Sequence, residues 1–129
     1  MIAIDTNVVV RFLVNDDPEQ AQRARRLIES EDVFLSTTVL LETEWVLRVA
    51  YKRPRARSLE MLRALLGLPR VIAEDLRVAA TALEWAELGM NFADALHLAS
   101  RPSCDAFATF DRDLSKMAAV VGAIPVRAP

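Results

Sequence analysis

The sequence predicts an α/β protein built on a mostly parallel sheet. Three observations support this. Short apolar runs alternate with amphipathic stretches along the whole chain, the pattern of helices layered on a sheet. The first run, Met1 to Ile4, is continuous rather than alternating, as in strands buried on both faces. The chain holds only 3 Gly in 129 residues, too few for a turn-rich all-β fold. One domain covering residues 1–129 is expected, without linker, repeat or low-complexity segment.

The first strand ends at Asp5, and Thr6 or Asn7 is expected to cap a helix over Val8 to Leu13. Asn15-Asp16-Asp17-Pro18 is a turn and helix start. Glu19 to Glu29 follows as an amphipathic helix, with Ala21, Ala24, Leu27 and Ile28 inward and Arg23, Arg25 and Arg26 outward. Val33-Phe34-Leu35 reads as the second strand. Ser36-Thr37-Thr38 caps a long helix from Val39 to Tyr51, and Arg53-Pro54 closes it. Ala56 to Leu66 is a helix ended by Gly67. Val71-Ile72 is a small edge strand or a connection. Asp75 caps a helix to Glu87, stopped by Gly89. Asn91 to Asp94 opens a helix to Ala99, stopped by Arg101-Pro102. Ala106 to Phe110 is a strand ending at Asp111. Leu114 to Val121 is a short helix, and Ile124 to Val126 is a final strand kept to an edge by Pro125.

Composition narrows the function classes. Hydrophobic residues make up 53% and charged ones 26%, a globular balance that excludes a disordered chain. No apolar run approaches a membrane span, and the start lacks a signal peptide's basic flank and apolar core. One cysteine, Cys104, cannot form an internal disulfide, so a cytoplasmic protein is expected. A net charge of −2 provides no whole-molecule attraction for nucleic acid but leaves room for a local basic patch.

Four acids stand out by placement. Asp5 and Asp111 each end a strand, where ligands bind in open α/β sheets. Glu42 lies mid-helix beside Val39, Trp45, Val46 and Val49, and a carboxylate on an apolar face is costly unless paired. Glu44 reads instead as surface, paired with Arg48 one turn on. Asp94 lies in a first helical turn, with His97 one turn later, and Asp113 follows Asp111. Each has a plain structural reading beside the chemical one. Asp5 and Asp111 are also ordinary helix caps, Asp94 favours its helix dipole, and Glu42 is open to pairing with Arg11. His97 reads as a packing or hydrogen-bonding residue, and Cys104 as a small buried one. Carboxylates gathered in one pocket repel, and a hard cation resolves that repulsion. All-oxygen donors suit Mg²⁺ or Mn²⁺ over zinc. Such a site activates water for in-line displacement at phosphorus.

Four motifs carry a resemblance that covers essentially the whole chain. They are Ile4-Asp5-Thr6-Asn7, Leu35-Ser36-Thr37-Thr38-Val39-Leu40-Leu41-Glu42, Phe92-Ala93-Asp94-Ala95-Leu96-His97-Leu98-Ala99, and Thr109-Phe110-Asp111-Arg112-Asp113-Leu114. In this order they resemble a PIN domain, and more narrowly the toxin ribonucleases of VapBC toxin–antitoxin pairs. The resemblance implies a three-layer α/β/α sandwich and Mg²⁺- or Mn²⁺-dependent cleavage of RNA. Asp5, Glu42, Asp94 and Asp111 would be the acidic metal site, with Asp113 a more variable member. Thr6, Asn7 and Thr109 would border it. A homodimer and a VapB-type antitoxin are the implied assembly and partner.

Arg48, Lys52, Arg53, Arg55 and Arg57 form a basic run free of acids, a candidate grip on RNA phosphates or a solvated helix end. Trp45 and Trp85 read as core or as partner contacts. Beside the ribonuclease stand a DNA flap or structure-specific nuclease, for whose clamp and arch elements the chain is too short, and two rivals of other kinds. One is a catalytically degenerate PIN-like module that only binds its antitoxin. The other is a small-molecule phosphatase, which would want a second acid two residues after Asp5, where Asn7 stands.

Overall fold

The computed structural model describes residues 1–101 and 103–129 of the chain. Two compact units divide it, Met1–Leu76 and Arg77–Pro129.

In the first unit, three short strands pair in parallel. They are β1 (Ile2–Ala3), β2 (Val33–Leu35) and β3 (Val71–Ala73), in the order β1-β2-β3. Ile2 lies opposite Val33, and Val33 opposite Val71. Parallel neighbours require long crossovers. Helices α1 (Thr6–Val14) and α2 (Pro18–Ser30) form the first crossover. The second holds α3 (Thr37–Trp45), a π-helical turn (Val46–Ala50) and α4 (Arg55–Leu66). Central β2 is the apolar heart, with Val33 and Leu35 buried. Ile4, Val9, Val10, Ile28, Leu40, Leu62 and Leu65 are buried in the same unit. By contrast, Ile2 is 39% exposed, so β1 is an edge strand of this sheet and not the fully covered strand its sequence suggests.

The α3 segment departs most from expectation. The sequence predicts one continuous helix from Val39 to Tyr51. Instead Tyr51 N–H donates to Val46 O at 3.1 Å, five residues back, and Lys52 then turns left-handed at φ 51°. The buried side also differs. Leu40, Thr43, Glu44 and Leu47 are buried, while Trp45 is 53% and Val49 44% exposed. Polar and apolar residues are spread around this helix, so spacing alone does not choose its inner face. The buried polar groups answer their own needs. Thr43 Oγ1 donates to Val39 O at 2.7 Å, and Glu44 Oε1 accepts from Arg48 Nε at 2.9 Å. Glu44 is thus buried, not surface, although its expected partner is correct. Trp45 is not core.

Arg11 ties three elements of this unit together. Its Nε donates to Gln20 Oε1 at 2.7 Å, and its Nη1 reaches Asp16 Oδ1 at 3.3 Å and Tyr51 Oη at 3.2 Å. The Tyr51 hydroxyl donates onward to Asp16 Oδ2 at 2.8 Å. The Tyr51 hydrogen bond, helped by Asp16 and opposed by desolvation, holds the guanidinium above its usual range. Arg11 is therefore engaged here and is not the partner of Glu42.

The second unit contains nearly all of α5 (Leu76–Glu87), then α6 (Phe92–Ala99), β4 (Phe107–Ala108), α7 (Arg112–Val121) and β5 (Val126–Arg127). β4 and β5 pair in parallel, Phe107 opposite Val126. Phe92, Leu83, Met90 and Leu98 are buried. Gly89 at φ 121° follows α5, a conformation that disfavours any side chain. The expected stop at Pro102 lies outside the described residues. The α/β class with parallel pairing holds in both units.

Leu47→Ala should cost about 2–5 kcal/mol of stability, as a fully buried leucine does. Trp45→Ala should stay near about 0.5 kcal/mol, the range of exposed positions. Urea unfolding of both variants checks which face of α3 is the inner one.

Candidate metal centre

Asp5 occupies the junction of β1 and α1. Its backbone is extended (φ −88°, ψ 165°), and Oδ1 accepts the Thr6 N–H at 2.7 Å. Asp5 is therefore the cap expected of Thr6 or Asn7. Its carbonyl takes the N–H groups of Val8 and Val9 at 3.1 and 3.3 Å. Thr6 is buried, and its Oγ1 finds no hydrogen-bond partner among the described residues. Asn7 is exposed on the first turn of α1. In the same unit Glu42 is exposed on the open face of α3. The cost of a buried carboxylate therefore does not single it out.

In the second unit Asn91 caps α6, its Oδ1 accepting the Asp94 N–H at 3.2 Å. Asp94 thus sits in the first turn, half-buried. Burial pushes its carboxyl above the ordinary aspartate range, the negative charge of Asp111 adds to that, and His97 opposes it. Asp111 caps α7. Its Oδ1 accepts from Asp113 N–H at 2.9 Å and Leu114 N–H at 3.1 Å. Its own N–H donates to Thr109 Oγ1 at 3.0 Å, so Thr109 shapes the turn that aims the carboxylate. Asp113 is exposed in the first turn of α7.

The plain reading of Asp5 and Asp111 as caps is therefore true, yet it engages only one oxygen of each. A carboxylate offers two oxygens and about four lone-pair sites. Asp94 and Asp111 are brought into electrostatic reach of each other. Among the described residues no three acids, imidazoles or thiolates form a group that could hold a metal. The donors themselves fit a hard cation. They are carboxylates with an open oxygen and an unpartnered hydroxyl at Thr6 in the first unit, and in the second an open Asp111 oxygen and an Asp94 carboxyl raised by burial and by its neighbour's charge. His97 and Cys104 are both exposed, so Cys104 is not the buried residue expected.

A family model described as PIN domain matches residues 2–120. The chain belongs to the PIN domain family. PIN domains are generally nucleases, hydrolases of phosphodiester bonds. A comparison with curated proteins finds no match.

In this PIN domain the basic run is partly neutralised. Arg48 pairs with Glu44, and Arg57 Nη1 with Glu60 Oε1 at 3.2 Å. Arg55 also has a partner. Lys52 stays exposed at its left-handed turn, beside half-buried Arg53. A further acid, not among the sequence candidates, stands at a strand end. Glu74 follows β3 directly, and its Oε1 accepts the Thr37 N–H at 3.0 Å, at the start of the Glu42 helix. The signal was present: an acid after Val71-Ile72-Ala73 repeats the apolar-run-then-acid pattern of Asp5.

In metal-free protein, NMR titration should place Asp94 above the usual aspartate range, and Asp111→Asn should bring it down. The folded state then holds the proton longer than the unfolded chain. This contribution favours folding at low pH and is lost as pH rises through the window between the two pKa values. Asparagine keeps the α7 cap, so Asp111→Ala should lose about 0.5–2 kcal/mol in urea unfolding and Asp111→Asn less.

Proposed function

We propose that this PIN domain is an Mg²⁺- or Mn²⁺-dependent endoribonuclease, the toxin of a type II toxin–antitoxin pair. One repeated arrangement carries the reading. Asp5 and Asp111 each stand just beyond a parallel strand and cap the next helix through Oδ1. That fixes the carboxylate and leaves Oδ2 for a ligand. Asp5, Asp94 and Asp111 would hold the cation, with Glu42 sharing it or bonding through water and Asp113 supporting Asp111. A divalent cation there supplies a Lewis acid for a phosphate oxygen and lowers the pKa of water for in-line attack. The chain's own part is positioning. Thr109 sets the Asp111 turn, Asn91 sets Asp94, and the unpartnered Thr6 hydroxyl offers a hydrogen bond beside Asp5. Products would carry 5′-phosphate and 3′-hydroxyl ends.

The partners on this reading are an RNA substrate, a VapB-type antitoxin and a second copy of the chain. The apolar face at Trp45 and Val49, open to water, supports a protein partner. No helix among the described residues is long and apolar enough to cross a membrane. A cytoplasmic RNA target is consistent with that. A second reading, a PIN module that binds a partner without cutting, draws on the lack of a three-member metal-holding group among the described residues.

Purified, partner-free protein should cut total cellular RNA with Mg²⁺ or Mn²⁺ and stop on adding EDTA. Asp5→Asn should lower the rate by about 10²-fold or more if its charge holds the cation. End mapping should find 5′-phosphates. Cleavage that survives EDTA refutes the metal mechanism. Absence of both cleavage and calorimetric Mn²⁺ binding favours the non-cutting module.

A further inference from the structure

Between α1 and α2 lies a groove of about 580 Å³, lined by Asn7, Val8 and Arg11 on one side and Gln20, Arg23, Ala24 and Leu27 on the other. These positions face each other one helical turn apart along each helix. The groove starts at Asn7, within a turn of Asp5. Its lining holds two guanidinium groups and no acid.

The two cations differ in state. Arg11 is fixed by Gln20, Asp16 and Tyr51, which take its Nε and Nη1 hydrogens. Of five N–H donors, the pair on Nη2 stays open. Its nearest acids, Asp16 and Asp17, lie in the α1–α2 turn at the far end from Asn7. Arg23 is exposed and makes no ion pair among the described residues. Its neighbour Arg25 instead pairs with Glu29 and stacks over Phe12. A held guanidinium and a free one, above an apolar floor of Val8, Ala24 and Leu27, match a strand of phosphates with sugars and bases between them. Guanidinium forks suit phosphate geometry.

We propose that the α1–α2 groove is the track for the RNA strand leaving Asp5, with Arg11 and Arg23 each holding a backbone phosphate. The proposal rests on the nuclease reading and adds where the substrate lies. The contacts are to phosphate, so they set affinity and register, not sequence.

The test is binding of fluorescent single-stranded RNA by the full chain in EDTA, across a salt series, by anisotropy. Arg23→Gln should weaken binding about 3–10-fold at low salt and lower the log–log salt slope by about 0.7, the loss of one phosphate contact on a single strand. The loss should be equal for unrelated RNA sequences. Arg25→Gln, outside the groove, should change neither quantity, and Mn²⁺ binding by Arg23→Gln should match the parent. Arg23→Glu should weaken binding further. Unchanged affinity and slope in both Arg23 variants, while the parent still cuts RNA with metal, overturns the track and spares the nuclease. Equal losses in Arg23→Gln and Arg25→Gln also overturn it, because they report charge alone. A parent that neither binds nor cuts RNA removes the nuclease reading and the track together. RNA binding intact in Arg23→Gln, with loss of a co-purified protein partner, assigns the groove to protein and overturns the proposal.

Discussion

A helix that begins directly after a strand has N–H groups with no partner, and a carboxylate is the strongest local answer to them. Asp5 and Asp111 are that answer at α1 and α7. The helix dipole favours negative charge at these positions whatever else the residue does. Capping and chemistry therefore support each other. The cap removes the side chain's freedom through one oxygen and leaves the second uncommitted. Asp17 also caps a helix, at 3.1 Å to the Gln20 N–H, but it follows a turn and not a strand. Position after a strand, and not capping, separates the candidate acids from the ordinary one.

The other two acids are placed by a different device. Neutral caps, Ser36 and Asn91, start α3 and α6. Asp94 then falls in the first turn, where the dipole also helps a carboxylate. Its raised pKa shows that burial and the Asp111 charge outweigh that help together with His97. Glu42 lies further along its helix and is exposed, so solvent serves its charge. The four candidates thus span a range from fixed to free.

What was legible in the sequence follows the strength of the local signals. Val33-Phe34-Leu35 is apolar on three consecutive residues between charged breaks, and it forms the strand over those same residues. Helix starts with a side-chain acceptor, at Ser36 and Asn91, were readable for the same reason. The inner face of α3 was not, because Leu40 and Leu47 compete with Trp45 and Val49 for the core. Tertiary packing decided between them, and Thr43 and Glu44 accepted burial by bonding within their own helix. Among the candidate site residues, Asp5, Asp94 and Asp111 stand out by position. Exposure removes the burial argument for Glu42, so its motif alone supports it. The basic run misled in another way. Counting charges along the chain keeps Arg48 in the run despite its pairing with Glu44, and overlooks Glu60, which meets Arg57 on the same helix.

The π-turn after Glu42 was the least legible element, since no proline or glycine marks it. Its origin is visible in the hydrogen bonds. The Val46 N–H is shared between the carbonyls of Glu42 and Thr43, four and three residues back, and the wide five-residue bond follows at Tyr51. Tyr51 closes the wide turn, and its hydroxyl then reaches Asp16 and receives Arg11. The helix that carries Glu42 is thereby tied to the helix that Asp5 caps. π-turns are poor hydrogen-bond ladders and persist where they are useful. Here the use is the tie itself: the last residue of the widened turn anchors Arg11, and Arg11 in turn braces Gln20 across the α1–α2 groove. Asp5, the open face of Glu42 and the groove beside Asn7 are consequently held by one set of polar contacts, all within the first unit.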